Sequence, residues 1–115
     1  MTKKSLEICF TPAAFEAHAD SEAIVVVIDV LRATSSICTA FANGVREIIP
    51  VETTEEARAM KAMGFLVAAE RDGYVLDFAD FGNSPFNFTP EMVKDKTVVY
   101  STTNGTGIMK RASEC

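Results

Sequence analysis

A nearly unbroken run of aliphatic residues extends from Ile24 to Val30, and Asp29 is the one polar residue within it. Half-buried strands alternate apolar and polar side chains, whereas strands buried on both faces are continuously apolar. The run therefore predicts a strand inside a sheet that is covered on both faces. The longest uninterrupted apolar stretch of the chain, Ala23 to Ile28, is far shorter than the roughly 20 residues of a membrane helix, so we expect no transmembrane span.

The segments that follow alternate between helix and strand. Their predicted bounds are a helix from Thr34–Ser36 to Asn43-Gly44, a strand over Glu47–Val51, a helix from Thr53 or Thr54 to Gly64, a strand over Phe65–Ala69, a brief helix at Thr89 and Pro90, a strand over Thr97–Ser101 and a helix from Gly105 or Thr106 to Cys115. Hydroxyl residues that cap first turns and glycines that end last turns define these bounds. The long connection Glu70–Phe88 has no such pattern, and we expect functional residues to concentrate there.

Alternation of strands and helices favours parallel strands that are joined by right-handed crossovers. We therefore predict an α/β fold with three layers, in which a mostly parallel sheet carries helices on both faces. The chain has 115 residues, which fits one domain over residues 1–115.

Composition excludes several classes of protein. Hydrophobic residues make up 48% of the chain and charged residues 23%, so the chain is not disordered. A net charge of −5 without a basic run argues against nucleic acids and anionic membranes as partners. Glu7 interrupts the apolar region that a secretory signal needs, and we expect a cytoplasmic protein. The three cysteines form no CxxC pair and predict reduced, mostly buried thiols.

Ligands of such sheets bind at the carboxyl ends of the strands. Four polar segments follow predicted strands or lie in the long connection: Asp29–Ser35, Glu70–Arg71, Gly82–Pro85 and Thr102–Thr106. Their side chains are carboxylates, guanidiniums, hydroxyls and amides. The predicted topology brings these groups to one rim of the sheet.

The rim has the chemistry of an anion site. Arg32 and Arg71 each offer a planar set of donors that suits phosphate, sulfonate or carboxylate. Helix amino termini near Thr34 and Gly105 add backbone N–H groups and the positive ends of helix dipoles.

Two carboxylates lie beside these cationic groups. Asp29 and Glu70 are candidate ligands of Mg²⁺, which binds through one or two carboxylates and substrate oxygens, or candidate general acid/base groups. A purely structural alternative pairs Arg32 with Asp29 and Arg71 with Glu70 as salt bridges. The sequence leaves both interpretations open.

Common phosphatase and nucleotide-binding signatures are missing. The second residue after Asp29 is Leu31, which rules out the DxD arrangement of aspartyl-phosphate phosphatases. The sixth residue after Cys38 is Gly44, where a thiolate phosphatase needs Arg. No GxxxxGK[ST] loop occurs.

Five motifs in order resemble the 2-phosphosulfolactate phosphatase family. They are Val27-Ile28-Asp29-Val30-Leu31-Arg32-Ala33-Thr34-Ser35, Ala42-Asn43-Gly44 with Glu47–Glu52, Ala69-Glu70-Arg71, Phe81-Gly82-Asn83-Ser84-Pro85 and Thr102-Thr103-Asn104-Gly105-Thr106. The resemblance implies a Mg²⁺-dependent phosphatase that hydrolyses (2R)-2-phospho-3-sulfolactate to sulfolactate and phosphate, a step of coenzyme M synthesis. A related phosphorylated hydroxy acid is the alternative substrate.

On this hypothesis each rim residue has a role. The catalytic residues are Asp29, Arg32, Glu70 and Arg71, and Asp29 and Glu70 are also the metal ligands. The substrate-binding residues are Thr34, Ser35, Asn83, Ser84, Thr102, Thr103, Asn104, Gly105 and Thr106.

Two other functions are compatible with the length of the chain. One is a receiver-like interaction domain, although the acidic pair and the late Lys-Pro of receivers are missing. The other is an inactive domain that only binds anions. Because members of the resembled family are about twice as long, we expect the chain to be the amino-terminal half of a phosphatase. Uncovered apolar strands would then drive association into a homo-oligomer, most simply a dimer.

Overall fold

The computed structural model describes residues 4–115. Its regular elements are α1 (Pro12–His18), α2 (Ala33–Ala42), β1 (Glu47–Pro50), α3 (Thr54–Ala62), β2 (Leu66–Arg71), β3 (Tyr74–Val75), α4 (Pro90–Val93), β4 (Thr97–Ser101) and α5 (Gly105–Ala112), with a 3₁₀ turn at Pro85–Asn87. The predicted helices and strands after residue 33 are thus confirmed, with ends that differ by at most three residues.

The sheet has the order β1-β4-β2-β3. Strand β4 pairs in parallel with both neighbours, for example Val98 with Ile48 and with Leu66. Of the four strands in the described residues, β3 at the edge alone runs antiparallel. The prediction of a mostly parallel sheet is confirmed.

Alternate residues of β4 face two separate apolar clusters. Val98 and Tyr100 belong to one cluster, to which α2 contributes Ala33 and Ala40. Val99 faces the other cluster, to which α3 contributes Ala57. Helices therefore cover both faces of the sheet, and the three-layer prediction is confirmed.

Local capping explains where α3 begins. The Thr53 hydroxyl accepts a hydrogen bond from the Glu56 backbone N–H at 3.1 Å, and Glu55 and Glu56 lie in the first turn near the positive end of the helix dipole. Gly64, with φ of +94°, follows the helix in the left-handed region that glycine adopts without strain.

The predicted strand over Ile24–Val30 is wrong for this structure. The segment has no regular secondary structure and pairs with no strand among residues 4–115. Its alternate side chains Ile24, Val26, Ile28 and Val30 are between 67% and 95% exposed. The apolar pattern is that of a buried strand, but a strand also needs a partner for its backbone.

We call residues 4–31 the arm. It includes α1, which has no buried residue, and one ion pair, Arg111–Glu16 at 2.7 Å, links it to α5. The radius of gyration is 15.1 Å, compared with about 13 Å for a compact domain of this length. The arm therefore projects from the three-layer body.

The long connection contains a hairpin that the sequence analysis did not predict. Asp72 and Gly73 have φ of 51° and 83°, and they join Arg71 to its partner Tyr74. Asp-Gly is the residue pair that two-residue hairpins favour, because both positions adopt positive φ. The hairpin places this turn at the carboxyl end of β2.

Two further observations concern the cysteines and membranes. Cys38 is exposed, while Cys9 and Cys115 are partly exposed, so the prediction of mostly buried thiols is wrong. In the described part of the chain, every helix is too short or too polar to cross a lipid bilayer.

Candidate active site

A cavity of about 380 Å³ opens where β2 and β4 end. Its lining comes from the four polar segments of the sequence analysis and from the hairpin turn. The lining residues are Asp29, Leu31, Arg32, Ala33, Glu70, Asp72, Gly73, Asn83, Thr102, Thr103, Asn104 and Gly105. The topology therefore brings these segments to one rim, as expected for the carboxyl ends of parallel strands.

Two helices begin at this cavity. Helix α2 begins at Ala33 and α5 begins at Gly105, and both residues line the cavity. Helix amino termini carry a partial positive charge. Their convergence gives the cavity a positive potential without additional basic side chains.

Arg32 is held in one orientation by Asn83. The Arg32 Nε and Nη2 atoms donate to Asn83 Oδ1 at 2.9 and 2.6 Å, and Asn83 is 9% exposed. This arrangement occupies one edge of the guanidinium. The Nη1 donors on the other edge remain for an anion.

Glu70 is a buried acceptor of backbone hydrogen bonds. Its Oε1 accepts from the Thr103 N–H at 2.8 Å and its Oε2 from the Gly73 N–H at 3.0 Å. The Thr103 hydroxyl lies 3.4 Å from Oε2. Glu70 therefore ties the hairpin turn to the loop after β4.

Asp29 is positioned through its backbone and not through its carboxylate. The Asp29 N–H donates to Thr34 Oγ1 at 2.8 Å, and the Thr34 hydroxyl and N–H both donate to the Asp29 carbonyl. Within residues 4–115, the Asp29 carboxylate makes no hydrogen bond or ion pair. It remains free to bind a cation or to accept a proton.

Neither salt bridge of the structural alternative, Arg32–Asp29 or Arg71–Glu70, forms among the described residues. Arg32 bonds to Asn83, as described. Arg71 donates to the carbonyls of Glu70 and Glu52 and to the Ser101 hydroxyl, at 2.6, 3.0 and 2.8 Å. Arg71 thus bridges the ends of β2 and β4 and does not line the cavity.

Several hydroxyls predicted to bind substrate form hydrogen bonds with the backbone. Thr102 Oγ1 accepts from the N–H groups of Gly105 and Thr106 at 3.0 and 3.3 Å, and thereby caps α5. Ser35 donates to the Val30 carbonyl at 2.7 Å. Thr34, Ser35, Ser84 and Thr106 lie outside the cavity lining, whereas Asn83, Thr102, Thr103, Asn104 and Gly105 form part of it.

Sequence reasoning missed two buried polar residues under this site. Ser36 is fully buried in the first turn of α2 and donates to the Asn83 carbonyl. Tyr100 is fully buried in β4, and burial raises the pKa of its hydroxyl to about 12. The nearby Ser36 hydroxyl opposes this rise, and the Glu70 and Asp29 carboxylates add to it. Neither residue follows the end of a strand, whereas most of the predicted site residues do.

The donor set suits a cation that is shared with a ligand. Among the described residues, no three Asp, Glu, His or Cys side chains cluster as a metal site. Asp29 offers a free carboxylate, and Glu70 retains lone pairs beyond those its backbone donors occupy. Mg²⁺ typically binds one or two carboxylates and completes its shell with water and phosphate oxygens. The residues present fit that mode of binding.

A second cavity, of about 510 Å³, lies at the opposite end of the strands. Its basic residues are Arg46, Lys61 and Lys96, and Lys61 is paired with Asp80 at 2.6 Å. The cavity adjoins Gly64, where α3 ends, and the end of a helix carries partial negative charge. The two helix amino termini and the free donors of Arg32 therefore favour the cavity at the carboxyl ends of the strands as the anion site.

Comparisons with known proteins agree with this geometry. Residues 9–115 match the family model described as 2-phosphosulpholactate phosphatase. Relatives named probable 2-phosphosulfolactate phosphatase occur in Caldanaerobacter subterraneus subsp. tengcongensis, with 46% identity over 77% of this chain and 39% of the relative, and in Clostridium perfringens, with 44% identity over 84% and 43%. A third, from Thermotoga petrophila, is 48% identical over 75% of this chain and 38% of the relative.

The chain spans about two fifths of the length of these curated relatives. The matched region contains the arm from residue 9 onward, the whole three-layer body and every residue of the cavity. The chain therefore belongs to the 2-phosphosulfolactate phosphatase family.

Proposed function

We propose that this chain carries the anion-binding part of the active site of a phosphoric monoester hydrolase whose substrate is 2-phospho-3-sulfolactate or a closely related phosphorylated hydroxy acid. The observation that carries the proposal is the convergence of the Arg32–Asn83 pair, two helix amino termini and the free Asp29 carboxylate on one cavity. The names of the relatives supply the substrate. The products would be sulfolactate and inorganic phosphate, and the reaction would serve coenzyme M synthesis.

The cationic and anionic residues of the cavity have different roles. Arg32 binds an anionic oxygen through the donors that Asn83 leaves free, and the positive ends of the α2 and α5 dipoles supplement it. Asp29 lies on the same cavity wall. It would hold Mg²⁺ or orient the water that attacks phosphorus, and Glu70 would hold Mg²⁺ through its remaining lone pairs. A bound Mg²⁺ ion would neutralise charge on the phosphoryl oxygens.

The second candidate function is anion binding without hydrolysis. Glu70 supports it, because both of its oxygens already accept backbone N–H groups. Arg71 would then keep only its structural contacts. Binding and hydrolysis are therefore measured separately.

Calorimetric titration with 2-phospho-3-sulfolactate, with and without Mg²⁺, tests binding, and an assay of phosphate release tests hydrolysis. Loss of charged hydrogen bonds in R32A is expected to lower affinity at least about tenfold. D29N is expected to lower phosphate release about 100-fold or more. R46A removes the same charge at the far end of the strands and is the matched control. Binding that is equal in R32A and R46A would contradict the proposal, and binding without phosphate release would favour the second candidate.

The arm suggests how the chain associates. Alternate residues from Ile24 to Val30 are exposed, and the backbone from Ile24 to Ile28 makes no hydrogen bond within the described residues. Apolar segments whose backbone groups are unpaired can pair with a second segment as strands do. We propose a homodimer in which arms from two copies pair. We also propose a cytoplasmic location, where reduced cysteines are stable.

A further inference from the structure

Residues 80–83 begin beside β2 and end at the residue that orients Arg32. Phe81 forms an isolated parallel bridge with Ala68, whose other partner is Tyr100 of β4. The bridge therefore lies on the edge of β2 that faces away from β4. Further along the same edge, β3 pairs with the last residues of β2. We call residues 80–83 the edge segment.

Asp80 joins the start of the edge segment to Val67 of β2 by two hydrogen bonds. The Asp80 N–H donates to the Val67 carbonyl at 2.8 Å, and Asp80 Oδ2 accepts from the Val67 N–H at 2.8 Å. The other carboxylate oxygen accepts from Lys61 of α3 at 2.6 Å. A carboxylate thus replaces the backbone carbonyl that a neighbouring strand would offer to Val67. The register of the edge segment against β2 therefore depends on a side chain.

Side chains of the edge segment reach both faces of the sheet. Asp80 binds Lys61 on the α3 side, whereas Phe81 packs in the cluster on the α2 side. Asn83, two residues after Phe81, also reaches the α2 side, where Arg32 donates to its Oδ1 atom. Because side chains of a segment paired with a strand point to alternate faces, a shift by one residue along β2 would turn Asn83 away from Arg32.

Gly82 lies between these two anchored residues and packs closely against β3. A Cβ atom on Gly82 would lie 2.7 Å from Val75 Cγ2 and 3.9 Å from Val75 Cβ. The shorter distance is too close for a real contact, so the edge segment can lie here only because residue 82 has no side chain. Asp80 and Gly82 therefore fix the chain on both sides of Phe81, immediately before Asn83.

Building on the function proposed above, we propose that Asp80 is a positioning residue for the Arg32–Asn83 pair. Its carboxylate sets the register of the edge segment, and that register directs the Asn83 oxygen to Arg32. A guanidinium that is already oriented binds an anion without a further loss of side-chain freedom. Asp80 itself lines the cavity at the opposite end of the strands, so it acts through the main chain and not on the substrate.

Two substitutions of Asp80 separate this role from a general contribution to stability. D80N keeps an oxygen for the Val67 N–H and loses the charge that pairs with Lys61, whereas D80A loses both. The Arg32 Nε–H group donates to Asn83, and NMR without ligand measures its exchange with water. We expect exchange about fivefold faster in D80A, which corresponds to one hydrogen bond of ordinary strength, and unchanged exchange in D80N.

Two control variants change stability or charge away from the edge segment. T53A removes the hydroxyl that caps α3, at the end of the helix remote from Lys61, and destabilises the fold. D77A removes an exposed carboxylate three residues before Asp80. Both are expected to leave the exchange of the Arg32 Nε–H unchanged.

A second set of variants displaces the edge segment without changing Asp80. G82A places a Cβ atom against Val75 Cγ2 and is expected to accelerate Arg32 exchange as D80A does. The double variant V75A/G82A removes that Cγ2 atom and leaves a contact of 3.9 Å, so slow exchange is expected to return. V75A alone is expected to resemble the unmodified chain.

Binding of 2-phospho-3-sulfolactate with Mg²⁺, measured by calorimetry, connects the position of Arg32 to function. D80A is expected to bind about fivefold more weakly, and D80N and T53A as the unmodified chain does. Arg32 exchange that is equal in D80A and the unmodified chain, or equally fast in T53A, would overturn the role of Asp80 and leave the proposed function intact. Absence of binding to the unmodified chain, with fast exchange in D80A alone, would instead overturn the proposed function.

Discussion

Gly105 and Ala33 are in such close contact that a Cβ atom on Gly105 would lie 2.8 Å from the Ala33 Cβ. The same atom would lie 3.1 Å from Thr102 Oγ1, the oxygen that caps α5. The amino termini of α2 and α5 therefore meet only because residue 105 has no side chain. This contact holds together the two helix ends that flank the cavity.

The first prediction concerns that contact. G105A is expected to lower the free energy of unfolding by about 1–3 kcal/mol, because it overpacks the junction of α2 and α5. G107A lies in the same helix, where a Cβ would meet only Glu52 Oε1 at 3.5 Å, and is expected to stabilise the chain by up to about 1 kcal/mol. Urea unfolding of both variants measures the difference. A neutral G105A would show that the two helices separate at no cost.

The second prediction separates the structural and metal roles of Glu70. E70Q replaces one acceptor oxygen by a donor, so the N–H of Gly73 or Thr103 loses its partner. We expect the free energy of unfolding to fall by about 1–3 kcal/mol and hydrogen exchange to accelerate at that N–H. E55Q, on an exposed residue of α3, is the control. Unchanged stability combined with lost Mg²⁺ binding would assign Glu70 to the metal alone.

The third prediction is a pH dependence at the far end of the strands. Burial would raise the pKa of Asp80, but hydrogen bonds from Lys61 and the Val67 N–H outweigh it and lower that pKa. The ionised carboxylate therefore stabilises the fold above about pH 4, the usual Asp value, and the contribution is lost as pH falls through the lower folded value. D80A is expected to lower stability by about 1–3 kcal/mol at pH 7.

The loss in D80A is expected to shrink at pH 3, measured by urea unfolding at both pH values. D77A removes an 86% exposed carboxylate that pairs loosely with Arg58 at 3.6 Å, and is expected to have little effect at either pH. A D80A loss that is the same at pH 7 and pH 3 would show that the Asp80 charge contributes nothing.

The fourth prediction concerns association through the arm. Light scattering across a concentration series is expected to show a dimer for the unmodified chain and a monomer for I28D, which places a charge on the exposed edge. M63D changes a residue that is 71% exposed at the end of α3 and is expected to leave the dimer intact. A monomer at every concentration of the unmodified chain would contradict the proposed dimer.

Sequence predicted the body of the fold well because its signals there are local. Thr53 caps α3 through a bond three residues along the chain, and Gly44 and Gly64 adopt positive φ after their helices. The strand Thr97–Ser101 is buried on both faces, as its apolar run predicts. Each of these features depends on neighbouring residues or on simple burial.

The features that the sequence does not reveal depend on distant partners. Ile24–Val30 has the composition of a buried strand, but no strand lies beside it among the described residues. The roles of Thr102 and Thr34 as backbone acceptors depend on the loop geometry of α5 and α2. The packing of Tyr100 against Phe88 and its pairing with Ala68 join residues from separate elements. The spacing of residues in a single sequence reveals none of these contacts.

Chemical-shift mapping tests the central claim most directly, because it reports which end of the sheet binds the anion. Backbone amide signals of the ¹⁵N-labelled chain are followed while 2-phospho-3-sulfolactate and Mg²⁺ are added. The account predicts that the largest shifts occur at Arg32, Ala33, Asn83 and Asn104–Gly105, and that R32A abolishes them at the same ligand concentration. Shifts centred on Arg46 and Lys96 at the opposite cavity, or no shifts at all, would contradict it.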